Sequence, residues 1–343
     1  MPPLVLLLAS FAIILAGALV FTNAVEWAGY RLALGQGAVG SLLAAVGTAM
    51  PETLIPIVAI VGGAEGAEEV AIGAIVGAPF LLATIAMALV GTSALIYRGR
   101  REQGTELRAH KPTLERDLVF FLVFFGLGIG VGAADLPNAV QIPLVVLVVV
   151  AYGDYVRRTL RSGGDVEDPE NIGPLVLGRA VARTPLYMDA SPADDPPRSL
   201  IVIQFAVGLA AIVGGAHLFV EELLHVAEDL GVAPLVLSLI LAPLATELPE
   251  KANSFFWVRD GKDSLALGNI TGAMVFQSTI PIAFGLALTE WDLGRSAIIA
   301  GCLGLAGGVL AYVALHRRGR FEWPAIAIWA ALFGTFVVYV SVT

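Results

Sequence analysis

Two Pro-Glu steps are the residues of this chain best suited to chemistry. They stand in GTAMPE (47–52) and ATELPE (245–250), each inside a long apolar run. Thr48, Pro51 and Glu52 match Thr246, Pro249 and Glu250 at a constant offset of 198. A carboxylate deep in a bilayer costs at least ~2.5 kcal/mol, so an acid kept there marks a functional position. Proline has no N–H. Pro51 therefore strips the carbonyl of Gly47 of its helical partner, and Pro249 does the same to Ala245. Irregular backbone at that depth is tolerated where it lines a cavity or is buried in protein. The result is a set of hard oxygen donors: the carboxylates of Glu52 and Glu250, the carbonyls of Gly47 and Ala245, and the hydroxyls of Thr48 and Thr246. Such a set suits Ca²⁺, Mg²⁺ or Mn²⁺, and a flexible one favours Ca²⁺ over Mg²⁺. Glu247 is either a third ligand or the charge partner of Lys251, four residues on. Gln277 can lend an amide oxygen. Asn269 caps or bridges helices, and Ser278 and Thr279 bond to helix carbonyls. Glu26 and Glu222 read as helix-end or gate residues, and His217 as a packing or hydrogen-bonding residue.

The elements that position these groups follow from composition. Of 343 residues, 57% are hydrophobic and 14% charged, with 38 glycines. Soluble domains carry ~25% charged residues, so a soluble enzyme or a disordered chain is excluded. The net charge of −9 argues against nucleic acid as a partner. The single cysteine, Cys302, permits neither an internal disulfide nor a cysteine metal site. Ten apolar runs are long enough to span a bilayer, at about 3–22, 37–62, 69–97, 117–133, 138–156, 199–224, 232–258, 264–288, 295–315 and 323–342. The first starts MPPLVLLLAS, without the basic residues of a signal peptide, and reads as a span. Residues 157–198, with GGDVEDPEN and SPADDPPRS, read as a polar linker between halves 1–156 and 199–343. With ten spans, 18 of the 20 Lys and Arg residues fall on one side, Arg295 alone falls on the other, and Lys251 lies within a span. The positive-inside rule then makes this an integral inner-membrane (plasma-membrane) protein, both termini extracytoplasmic and the linker cytoplasmic.

The halves are related. AIGAIVGAPFLLAT (71–84) pairs with ALGNITGAMVFQST (266–279) at offset 195, aligning Gly73 with Gly268, Gly77 with Gly272 and Thr84 with Thr279. Glu26 and Gly35 fall opposite Glu222 and Gly231 at offset 196. Each half holds five spans, and an odd number inverts the second copy in the membrane. The expected fold is therefore all-α and polytopic, ten transmembrane helices in two inverted five-helix repeats. Such repeats are common in secondary transporters, whose sites lie near the midplane where corresponding helices meet.

In these motifs the chain resembles the cation/Ca²⁺ exchanger superfamily, especially the prokaryotic sodium/calcium exchangers. GTAMPE and ATELPE are similar to that family's two GTSLPE-type motifs. GNITGAMVFQ is similar to its GNxxGSNxxN/D motif, of which GAIVGAPFLL is a weaker copy. The resemblance covers both repeats. It implies alternating access and Ca²⁺ export driven by inward Na⁺ flow, with Glu52 and Glu250 as central ligands, Thr48 and Thr246 beside them, and Gln277 at the family's Asn or Asp position. Several oxygens that hold Na⁺ in the family are replaced, by Ala49, Glu247, Ala78, Ala273, Leu82 and Gln277. H⁺-coupled antiport of Ca²⁺ or Mn²⁺ is the alternative. An intramembrane enzyme would need a nucleophile and base or a metal-hydrolase cluster. HExxH and GxSxG are absent, and His110, His217, His225 and His316 are scattered. A non-transporting scaffold is the remaining reading. The expected partners are thus the bilayer, a divalent cation and Na⁺ or H⁺, with no cofactor.

Overall fold

The computed structural model describes residues 2–31, 50–134, 136–161, 173–181 and 196–342. Among these are thirteen α-helices: α1 (Pro3–Arg31), α2 (Met50–Gly62), α3 (Ala67–Leu81), α4 (Met87–Ile96), α5 (Lys111–Ala133), α6 (Asn138–Arg161), α7 (Val176–Val181), α8 (Arg198–Leu230), α9 (Pro234–Arg259), α10 (Asp263–Gln277), α11 (Ile280–Leu288), α12 (Arg295–Arg318) and α13 (Trp323–Val342). The only extended pairing among the described residues is one bridge, Glu106 to Arg320. A π-turn at Leu82–Ala86 joins α3 to α4, and a short turn joins α10 to α11. Eight of these helices or joined pairs are long and apolar enough to cross a membrane. Within the described residues, each apolar run of the sequence coincides with a helix or a joined pair. Helix ends run past the apolar runs, as at α1, which continues to Arg31, and α8, which continues to Leu230. Polar residues extend a helix once its apolar face is packed.

The chain folds as two compact units, Met1–Ile55 with Ala151–Glu222, and Pro56–Val150 with Leu223–Thr343. Each unit draws on both sequence halves.

In the first unit, α1 packs on α8 through small residues. A Cβ on Gly17 would stand 3.0 Å from the Cβ of Ala211, and one on Gly208 would stand 2.7 Å from the backbone nitrogen of Phe21. Small residues let membrane helices approach closely where dispersion, rather than the hydrophobic effect, drives packing. Part of the linker is docked here. Asn23 Nδ2 and Trp27 Nε1 donate to the Gly173 carbonyl at 3.1 and 3.0 Å. Gln204 Nε2 donates to Asn23 Oδ1 at 2.9 Å, and its Oε1 accepts the N–H of Leu177 at 2.8 Å. The end of α1, the start of α8 and this linker segment therefore share one end of the unit, as ten alternating spans require.

In the second unit, the span formed by α3, the π-turn and α4 is the most enclosed, with 94% of its apolar stretch buried, against 17% for α13. Its apolar core includes Phe80, Phe121, Phe125, Trp329 and Phe336. The α3 glycines lie directly against α9. A Cβ on Gly73 would meet the Leu235 carbonyl and the Ser238 Cβ, both at 2.7 Å. Ser238 Oγ donates to the Val70 carbonyl at 2.6 Å alongside. At one end, Arg101 and Asp263 form a fully buried bidentate pair at 2.9 Å. Arg101 also donates to the carbonyls of Gly104, Glu106 and Val258. Leu107 N–H bonds to the Gly319 carbonyl at 3.0 Å. The loops after α4, α9 and α12 are thus knitted together. At the opposite end, Glu68 accepts the N–H of Glu290 at 2.9 Å and Glu69 that of Leu235 at 3.3 Å. This grouping of loop ends is again the alternation expected of the spans.

Candidate ion site

Helix α9 holds the second Pro-Glu motif. The sequence suggests a broken helix there, but α9 runs unbroken through Pro243 and Pro249. The Ala245 carbonyl still lacks an N–H partner at residue 249, because proline has none. Before the motif, α9 is packed closely against α3 at Leu235, Ser238, Leu239 and Pro243. Among the described residues, departures from regular α-helix fall in the spans that follow the two motifs, at matched positions. Leu82 in the π-turn corresponds to Gln277, where α10 ends. The threonines behind both breaks act alike. Thr84 Oγ1 donates to the Phe80 carbonyl at 2.6 Å, and Thr279 Oγ1 to the Val275 carbonyl at 2.8 Å. Ser278 Oγ donates to the same Val275 carbonyl at 3.0 Å. Hydroxyls that bond back to helix carbonyls loosen the regular ladder, which is how such bends arise.

Thr246 is buried, and its Oγ1 donates to the Ala242 carbonyl at 3.1 Å. That bond uses the proton and leaves oxygen lone pairs for a cation. Glu247, 2% exposed, forms an ion pair with Lys251 at 3.3 Å, and both side chains are enclosed. Lys251 Nζ also donates to Asn269 Oδ1 at 2.8 Å, so Asn269 bridges α9 and α10. Gln277 Nε2 donates to Glu247 Oε1 at 3.2 Å. The Gln277 Oε1 atom is buried and accepts no hydrogen bond among the described residues. Buried Glu247, Lys251 and Gln277 thus form one connected cluster with half-buried Asn269 in the second unit. In the first unit, Glu52 sits on α2 at 5% exposure. Gly47 and Thr48, and the side chain of Glu250, lie outside the described residues.

Of the remaining expectations, Glu222 is buried at 6% and Glu26 is half-buried. His217 is exposed on α8, so it is not packed within the protein there. Two buried acids escaped the sequence reading, Asp263, the partner of Arg101, and Asp117. Asp117 on α5, 2% exposed, accepts the Thr271 hydroxyl at 3.0 Å and pairs with Arg116 at 3.1 Å. Thr271 lies within GNITGAMVFQ. The only sequence signal was an acid at the start of an apolar run, a place where acids usually meet water.

Eight helices or joined pairs long and apolar enough to cross a bilayer, among the described residues, define an integral membrane protein. The chain matches the family described as "Sodium/calcium exchanger protein" over residues 2–160 and 200–342, and it belongs to that family. A putative antiporter, CaxA of Alkalimonas amylolytica, is 27% identical over 120 residues, which is 31% of this chain and 38% of that relative. The crystal structure of the H⁺/Ca²⁺ exchanger CAX superposes with a TM-score of 0.72 at 20% identity, covering 98% of this chain and 81% of that one. A structure of the sodium-calcium exchanger NCX_Mj superposes at 0.57 and 17% identity, covering 98% and 97%. The architecture is the ten-helix, inverted-repeat fold of these exchangers.

Proposed function

We propose that the chain exports Ca²⁺ in exchange for Na⁺ by alternating access. Glu52 and Glu250 supply the carboxylates that take the cargo, assisted by the oxygens of Thr48, Thr246 and Gln277 and the carbonyls of Gly47 and Ala245. The observation behind this reading is the matched pair of Thr-x-x-Pro-Glu motifs in a chain of the exchanger family. The charge arithmetic supports it. The Lys251 ammonium offsets Glu247, so the formal charge of the two motifs is that of Glu52 and Glu250, which one divalent ion balances. A doubly negative empty site resists being moved through a low-dielectric enclosure, whereas an occupied one is neutral. That difference ties the conformational change to occupancy and prevents an uncoupled leak.

The alternative is H⁺ coupling through the same glutamates. It is favoured by the replacement of family hydroxyls and amides with Ala49, Ala78, Ala273 and Leu82, and by the commitment of Thr84, Ser278 and Thr279 to helix carbonyls. The Lys and Arg bias supports extracytoplasmic termini and a cytoplasmic linker.

The test is ⁴⁵Ca²⁺ uptake into proteoliposomes preloaded with Na⁺, with K⁺, or with an acidic buffer. Uptake driven by Na⁺ alone supports the first reading, and uptake driven by protons alone supports the second. Glu52→Gln and Glu250→Gln are each expected to abolish uptake. Unchanged flux in both would refute the ligand assignment.

A further inference from the structure

Lys251 is out of place for a cation exchanger. It is an ionisable side chain in a predicted span, 1% exposed, in the helix that bears the second Pro-Glu motif. Its surroundings have the chemistry of an alkali-cation site. The ammonium faces Glu247 Oε2 at 3.3 Å and Asn269 Oδ1 at 2.8 Å, both oxygen donors. Gln277 holds the other Glu247 oxygen at 3.2 Å and so orients the carboxylate toward the lysine. The first repeat has none of this. At the positions of Glu247, Lys251, Asn269 and Gln277 it carries Ala49, Thr53, Ala74 and Leu82. The four polar residues are therefore confined to one copy. A carboxylate and its counter-charge are present together in that copy and absent together from the other.

We propose that Lys251 is a tethered cation. Its ammonium occupies, permanently, the place a free monovalent cation would take at Glu247, and so reduces by one the number of ions the second repeat must bind in each cycle. The ammonium is a fixed charge that never leaves, so this position does not exchange. The inference deepens the antiport reading and rests on it for its consequence in coupling. The occupancy of the Glu247 oxygens is a separate property and can be measured without transport.

The experiment is ²²Na⁺ equilibrium binding to the purified full-length protein at one fixed pH, with ⁴⁵Ca²⁺ flux run in parallel. Lys251→Met removes the charge and keeps an apolar stem of similar length. It leaves Glu247 buried without its counter-charge, which draws a small cation from water. The variant is expected to bind one more Na⁺ per chain than the wild type, and the Na⁺ dependence of uptake is expected to steepen. Glu247→Gln combined with Lys251→Met deletes both charges and is expected to return the count to the wild-type value. An unchanged count in a monodisperse Lys251→Met protein overturns the proposal, as does an extra Na⁺ that persists in the double variant. If Lys251→Met does not survive purification, the double variant decides alone. A wild-type Na⁺ count supports the tethered cation, and a lower count shows that these oxygens already held an exchangeable Na⁺ and overturns it. Absence of Ca²⁺ flux in the wild type under every gradient would refute the antiport reading, while the Na⁺ count would still judge Lys251.

Discussion

Adding one methyl group at Gly73 tests the packing that holds the motif helix α9. A Cβ there would stand 2.7 Å from the Leu235 carbonyl oxygen and 2.7 Å from the Ser238 Cβ, and 3.0 Å from the Leu239 nitrogen. Ordinary carbon contacts lie at ~3.5–4.0 Å, so α3 and α9 must separate by most of an ångström. Two of the opposing atoms are backbone and the third is a Cβ, so no side-chain rotation relieves the clash. Overpacking of this kind costs about 1–3 kcal/mol, and the rigid neighbours place it in the upper half of that range. Separation also stretches the Ser238–Val70 hydrogen bond, worth about 1 kcal/mol. The gain in helix propensity from Gly to Ala returns about 1 kcal/mol. The net loss is about 2–3 kcal/mol, which for a chain of this size lowers the melting temperature by roughly 5 °C. The assay is an apparent melting temperature by fluorescence-detected gel filtration, at one heating protocol in one detergent. Gly153→Ala is the control, since nothing stands within 4 Å of that position, and it should melt at or slightly above the wild type. A Gly73→Ala protein as stable as the control would refute the close approach of α3 and α9.

Further outcomes follow from the same structure. Arg101→Met leaves Asp263 buried without its partner and should cost about 3–5 kcal/mol, while Arg101→Met with Asp263→Asn should recover part of that loss in a melting experiment. Thr84→Val and Thr279→Val remove hydroxyls spent on helix carbonyls, so ⁴⁵Ca²⁺ uptake should persist in both, and a loss as deep as that of Glu250→Gln would make them ligands. Trp291, 1% exposed, fills the space over Gly285 and donates to the Gly128 carbonyl at 2.9 Å. Trp291→Ala should therefore destabilise by about 3–5 kcal/mol, read as a fall in melting temperature.

Much of this protein was legible in its sequence because the bilayer leaves so few choices. A backbone that cannot bond to water must be helical, so apolar length alone located the spans. The repeat was legible because Thr48, Pro51 and Glu52 recur as Thr246, Pro249 and Glu250 at one spacing. Three features needed the tertiary structure. Proline chemistry suggests a break at Pro249, yet α9 stays helical, and the breaks appear at Leu82–Ala86 and Ser278–Thr279. At those two places hydroxyls capture helix carbonyls. The role of Glu247 was open between ligand and charge partner, since helical spacing permits an ion pair without requiring one. Its pairing with Lys251, with Asn269 holding the ammonium from a second helix, was visible only in the fold. Asp117 became notable only when Thr271, 154 residues away in sequence, was found against it. Periodicity and spacing report what a helix must bury. Which buried charge meets which partner depends on how helices far apart in the chain pack together, and tertiary structure decides that.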